Sequence, residues 1–91
     1  MWTVKVPKRV AKQIEGLPAV VQKRLRRLVS QIEQFGPVRG DWPNYSALTG
    51  NCHHCHLKKG HPTYVAVWQV ADKSIRLVEV VYVGTHEKAP Y

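Results

Sequence analysis

The stretch from Pro18 to Pro37 constrains this chain more than any other. Val21, Leu25, Leu28, Ile32 and Phe35 recur there at alternating four- and three-residue steps, while Lys23, Arg24, Arg26, Arg27, Gln31 and Gln34 occupy the remaining positions. That spacing gathers the apolar side chains into one stripe of a helix. Pro18 suits a first helical position, where a missing N–H is harmless, and Gly36-Pro37 ends the run. Just upstream, Val10, Ile14 and Leu17 share a face of a shorter helix that stops at Gly16. The tight Gly-Leu-Pro connection makes the two an antiparallel helical hairpin with a single apolar side. Such a hairpin needs a second layer to cover it.

The rest of the chain supplies that layer. Trp2-Thr3-Val4-Lys5-Val6 alternates apolar and polar residues and halts at Pro7, which predicts a first strand. Residues 36–51 are rich in Gly, Pro, Asn and Ser and read as an ordered loop anchored by Trp42, Tyr45 and Leu48. Strands are predicted over 53–58, 63–70 and 74–83, with Ala71-Asp72-Lys73 as a hairpin turn. The order β-α-α-β-β-β predicts an α+β fold, a helical hairpin packed on one face of a mostly antiparallel four-stranded sheet. Residues 1–91 are expected to form one domain, because a chain this short has room for one core only. The second face of the sheet is left for function.

Charge narrows what that face meets. Fourteen Lys and Arg oppose six Asp and Glu, a net charge of +8. The field of such a surface attracts phosphate backbones, ribosomes or an acidic protein partner. No apolar stretch approaches the roughly 20 residues of a membrane span, and the N-terminus has no signal-like apolar core. A cytoplasmic protein without a membrane partner is expected, with Cys52 and Cys55 as free thiols.

Five histidines are the chemically active residues of the sequence, His53, His54, His56, His61 and His86. An unperturbed imidazole exchanges protons near neutrality, the requirement for general acid/base work. Three patterns compete in Asn51-Cys52-His53-His54-Cys55-His56. Cys52 and Cys55 have the spacing of a zinc knuckle, but in an extended strand they point to opposite faces, and a second ligand pair is missing. The Cys-x-x-Cys-His string also matches covalent haem attachment, yet the segment reads as a strand and offers no methionine ligand. The third pattern is a plain strand, with His54, His56 and Lys58 on one face and His53, Cys55 and Leu57 on the other. It places no metal or cofactor, and His53 is expected to be an ordinary solvated residue.

Cys55-His56-Leu57-Lys58, Tyr64-Val65-Ala66-Val67-Trp68-Gln69-Val70 and Tyr82-Val83-Gly84-Thr85-His86 together resemble the RelE/ParE toxin superfamily of bacterial toxin–antitoxin systems. The Gly-Thr-His strand exit and the Cys-His-Leu strand are most similar to its YafQ and HigB branches, messenger-RNA interferases that cut on the ribosome. The resemblance covers Leu48 to Tyr91 in detail, and it implies a RelE-like fold and an endoribonuclease toxin. Its partners would be a cognate antitoxin, mRNA and the ribosome. It makes His56 and His86 catalytic counterparts and Tyr91 the aromatic that stacks on or orients RNA. Where YafQ-type members carry a carboxylate after the Cys-His-Leu run, this chain has Lys59-Gly60-His61-Pro62, so His61 stands in as proton carrier or phosphate contact. The RelE-type arginine of the third strand aligns with Val65.

Metal-free RNA cleavage proceeds by attack of a ribose 2′-OH on its own 3′-phosphate. It needs a base for the hydroxyl, an acid for the leaving 5′-oxygen and cations for the phosphorane. His56 is assigned as base and His86 as acid, a pair that can be exchanged. Lys58, Lys59 and His61 would stabilise developing charge, and His54, Arg24 and Arg27 would hold RNA. The alternatives are a ParE-like inhibitor of DNA gyrase, which shares the fold and cuts nothing, and a nucleic-acid- or zinc-binding module.

Overall fold

Two helices and five strands build the molecule in the computed structural model, which describes all residues from Met1 to Tyr91. In chain order they are β1 (Thr3–Lys5), α1 (Lys8–Glu15), α2 (Ala19–Phe35), β2 (Ser46–Ala47), β3 (Cys52–Lys58), β4 (Tyr64–Asp72) and β5 (Leu77–Thr85), followed by a 3₁₀ turn at His86–Lys88. The sheet order is β1-β5-β4-β3-β2. β1 runs parallel to β5 and every other pairing is antiparallel. The fold is α+β as expected, with five strands instead of four. The extra one, β2, is two residues long and pairs Ser46 with His54 and Ala47 with His53. Its brevity hides it within a loop-like composition.

The helices follow the periodicity of their sequence. Val21, Leu25, Leu28 and Ile32 are buried along α2, whereas Phe35 at its end is exposed. Removing a side chain of this kind from water contributes about 1.5–3 kcal/mol. Pro18 caps α2 from just outside, and its carbonyl accepts the N–H groups of Val21 and Gln22. Gly36 closes the helix by donating to the Ile32 carbonyl at 2.8 Å with φ of 97°. A Cβ there would be strained and would also lie 3.1 Å from the Trp2 indole nitrogen, so only glycine fits this junction.

The core lies between the helices and one face of the sheet. Cys55, Leu57, Ala66, Trp68, Val78, Val80 and Val83 meet Val10, Val21, Leu25, Leu28 and Ile32 there. Trp68 is 1% exposed and donates its indole N–H to the Pro37 carbonyl at 3.0 Å, so burial leaves its polar atom paired. His53 points into this side, stacked on Trp68 at 5.9 Å and on Tyr45 at 5.9 Å, with its Nδ1 2.7 Å from the Tyr45 hydroxyl. It is buried, which corrects the expectation of a solvated surface histidine. A neighbouring aromatic supplied by the 36–51 loop makes the difference.

The β4–β5 hairpin also differs from expectation, because β4 continues to Asp72 and β5 starts only at Leu77. Asp72 Oδ1 accepts from the Ser74 N–H and hydroxyl at 3.0 and 2.7 Å, a side-chain turn that takes residues 73–76 out of the ladder. The displaced turn lets β5 run to Thr85, so His86 is the first residue off the sheet. No helix is long and apolar enough to cross a membrane.

Candidate active site

β3 places its side chains on alternate faces, so His54 and His56 stand on the face away from the helices, while Cys55 and Leu57 enter the core. β5 runs antiparallel to β4 and delivers His86 to the same region, because β4 sits between them and pairs Val65 with both His56 and Gly84. The rings of His56 and His86 are 5.5 Å apart at an interplanar angle of 73°. Two residues separated by thirty positions become neighbours through three adjacent strands.

The loop between β3 and β4 forms the facing wall. Its Thr63 carbonyl accepts the His86 N–H at 2.8 Å, and the Thr63 hydroxyl bridges the Gly60 N–H and carbonyl. Together they enclose a cleft of about 450 Å³ lined by His56, His61, His86 and Glu87. Three imidazoles therefore border one space. Lys58 and Lys59 lie on its other side, in a second cleft with Arg24, Pro43 and His56. A β-bulge between His56 and Lys58 interrupts the ladder there, and the Lys58 ammonium stays near Gly60 at the rim between the clefts.

Behind His56 the site is tightly built. His54 is buried, its Nδ1 lies 2.9 Å from the Ser46 hydroxyl of β2, and its ring is 4.6 Å from Tyr91 and 6.0 Å from His56. Tyr91 stands 5.9 Å from His86 and is half exposed. His54, expected to contact RNA, thus backs Tyr91 and His56 instead of meeting solvent. Tyr82 crosses the same face and donates its hydroxyl to the Thr85 carbonyl at 2.7 Å. A Cβ on Gly84 would fall 2.6 Å from that hydroxyl, so Gly84 leaves the space that the Tyr82 ring uses to brace the residue before His86.

The electrostatics separate the histidines. Burial first, and then the charges of His86, His54 and Lys59, push the His56 imidazole below its ordinary value near 6.5. It is therefore neutral at pH 7 and retains a lone pair. Its Nδ1 is buried with no hydrogen-bond partner, which leaves Nε2 as the ring nitrogen that a ligand reaches. In the tautomer that frees Nε2 to accept a proton, Nδ1–H is buried unpaired, at a cost of about 1–3 kcal/mol. Burial also lowers His54 and raises the Tyr91 hydroxyl. Cys55, sealed in the core, is pushed up to about 12 and is inert as a thiolate. It faces away from Cys52, so the two cannot share a metal ion, and no group of three or more His, Cys, Asp or Glu side chains is arranged to hold one.

Arg24 and Arg27 reach the site from behind. Arg24 Nη1 donates to the Leu57 carbonyl at 2.9 Å, and Arg27 lies over the Trp42 ring at 5.4 Å. Sequence reasoning placed both on a basic helix face but missed Ser46, Thr63, Tyr82 and Trp42 as their supports or those of the histidines. A serine in a polar loop and a carbonyl carry no side-chain signal of such a role.

No family model and no curated protein matches this sequence. Solved structures do match its fold. The E. coli toxin RelE, as a double arginine-to-alanine mutant in the free state, superposes with a TM-score of 0.72 at 20% identity, covering 97% of this chain and 86% of that one. The RelE of the intact E. coli RelBE toxin–antitoxin complex gives 0.71 at 19% identity, covering 97% and 100%. A chain of the archaeal RelE–RelB complex from Pyrococcus horikoshii gives 0.63 at 16% identity, covering 97% and 98%. The chain has the RelE toxin fold.

Proposed function

We propose that this protein is the toxin of a toxin–antitoxin pair and that it cleaves messenger RNA on the ribosome without a metal ion. The observation that carries the proposal is the pair of imidazoles, His56 and His86, 5.5 Å apart on one cleft of a strongly basic chain. Acid/base cleavage of a phosphodiester asks for two proton-transferring groups within hydrogen-bond reach, about 2.6–3.2 Å, of the 2′-hydroxyl and of the leaving oxygen.

His56, neutral because burial and neighbouring charge disfavour its protonated form, takes the proton of the 2′-hydroxyl at Nε2. The alkoxide attacks the adjacent phosphorus and the bond to the 5′-oxygen breaks, leaving a 2′,3′-cyclic phosphate. His86, exposed on the 3₁₀ turn, delivers a proton to that departing oxygen. His61 within the cleft, and Lys58 and Lys59 from the neighbouring one, supply positive charge for the phosphorane. Tyr91, held against His54, stacks on a base and turns its phosphate toward the histidines. Every step uses side chains of this chain alone.

The fold relatives from E. coli and P. horikoshii occur in complexes with the antitoxin RelB. An antitoxin of this protein would silence it by covering the histidine face and the basic residues beside it. The test is His86→Ala in a growth-arrest assay paired with mapping of cleaved mRNA. Cleavage should fall by a factor of about 10²–10⁴ while antitoxin binding persists. A variant that cuts at the wild-type rate refutes the assignment. Inhibition of purified gyrase by the wild-type protein, with intact message, would replace the nuclease by a gyrase poison.

A further inference from the structure

We propose that Arg24, Arg27, Asp41, Trp42 and Pro43 form a second nucleotide subsite on the helix side of His56, which holds the RNA residue next to the one being cut. The proposal rests on the ribonuclease reading above and adds where the strand goes after it leaves the scissile phosphate.

The geometry begins with His56, which borders two further clefts besides the one it shares with Lys58 and Lys59. One is the 450 Å³ cleft of His61 and His86. The other, about 400 Å³, contains the five residues named here. A chain seated on His56 at the first cleft continues into the second simply by crossing the end of β3. The loop that floors this second cleft is tied to the catalytic strand, since the Pro43 carbonyl accepts the His56 N–H at 2.8 Å. Site and subsite are therefore joined through the backbone of His56.

The cations of α2 are not equivalent. Arg24 is fixed by one hydrogen bond to the Leu57 carbonyl, across 33 residues of sequence, and its remaining N–H donors are left for a phosphate. Arg27 lies on Trp42, whose indole N–H is held by the Gln31 side chain at 2.7 Å. A guanidinium immobilised on an aromatic ring offers a plane for a base to stack on as well as a charge for its phosphate. Arg26, by contrast, turns to a different groove beside Val6, Ile14 and Val29. The division follows the helical period, since Arg24 and Arg27, three residues apart, share one side of α2 and Arg26 falls on another. Asp41 is the one carboxylate of the subsite, and an acceptor-only group among cations suits the exocyclic amino group of a base.

The test uses a single-stranded hexanucleotide with 2′-deoxy sugars, which binds without being cut, and follows its affinity by fluorescence anisotropy over a salt series. Arg24→Ala and Arg27→Ala should each weaken binding about tenfold. Each should also reduce the slope of log affinity against log salt by about 0.7, the value for one phosphate contact on a single strand. Arg26→Ala, which removes the same charge from the same helix, should change neither. On programmed ribosomes the first two variants should raise KM and keep kcat, and Asp41→Asn should alter which base is preferred beside the cut. Equal effects of Arg24→Ala, Arg27→Ala and Arg26→Ala would overturn the subsite, as would loss of antitoxin binding with hexanucleotide affinity unchanged. Failure of the wild-type protein to cut any RNA, with the arginine-specific binding intact, would remove the ribonuclease and leave the subsite standing.

Discussion

His53 and His56 lie three residues apart on one strand, and their surroundings have nothing in common. His53 faces the helices, sandwiched by Tyr45 and Trp68 with its Nδ1 at hydrogen-bond distance from the Tyr45 hydroxyl. His56 faces away from them, partly exposed on a cleft with two other imidazoles, its Nδ1 unpaired. The first is a satisfied, stacked core residue. The second keeps an unmet hydrogen-bonding need and a nitrogen that a ligand reaches, which is the condition of a working group. An imidazole in a sequence is thus neither structural nor catalytic until the packing of its face decides.

The contrast between the two faces predicts where damage falls. Trp68→Ala empties the centre of the helix-side core and should cost about 3–5 kcal/mol, read as a lowered midpoint in urea. His56→Ala should leave that midpoint nearly unchanged, or raise it by removing the unpaired Nδ1. A large loss of stability from His56→Ala would erase the distinction between the faces.

Gly84→Ala tests the braced side. A Cβ there meets the Tyr82 hydroxyl, so the ring must swing and release the Thr85 carbonyl. Loss of one such bond is worth about 0.5–1.5 kcal/mol. Displacing His86 by a fraction of an ångström should nonetheless lower cleavage by roughly 10- to 100-fold. Stability and activity measured on the same sample would separate the two effects, and an equally active variant would show that Tyr82 braces nothing.

The smallest effect concerns pH. Burial holds the imidazoles of His53, His54 and His56 below 6.5 in the folded state. The unfolded chain then binds more protons than the folded one in the window just below that value. Stability is therefore full above about pH 6.5 and is lost as pH falls from there through the folded values. Thermal midpoints recorded from about pH 8 to 5 should decline over the acid half of that range, and His53→Phe should flatten the decline. A midpoint that rises on acidification would reverse the sign of all three shifts.

Much of the fold was legible because its signals are local. The four- and three-step spacing from Val21 to Ile32 holds in α2, and the parity of β3 correctly sends Cys55 and Leu57 inward and His56 outward. Phe35 continues the spacing and yet is exposed, its ring 5.5 Å from the Arg39 guanidinium instead of in the core. The burial of His54 under Tyr91, the two-residue strand β2 and the turn built by Asp72 escaped because each depends on a partner distant in sequence or on a side chain replacing a backbone bond.

Sequence alone determined the elements, the faces of their side chains and the excess of positive charge, since period and composition are properties of the chain before it folds. Tertiary structure alone decided which histidines meet. His56 and His86 become neighbours only when β4 is laid between β3 and β5, and Arg24 reaches His56's strand only when α2 packs against the sheet edge. Proximity of that kind is set by the closing of long loops over a shared core, and no local pattern encodes it.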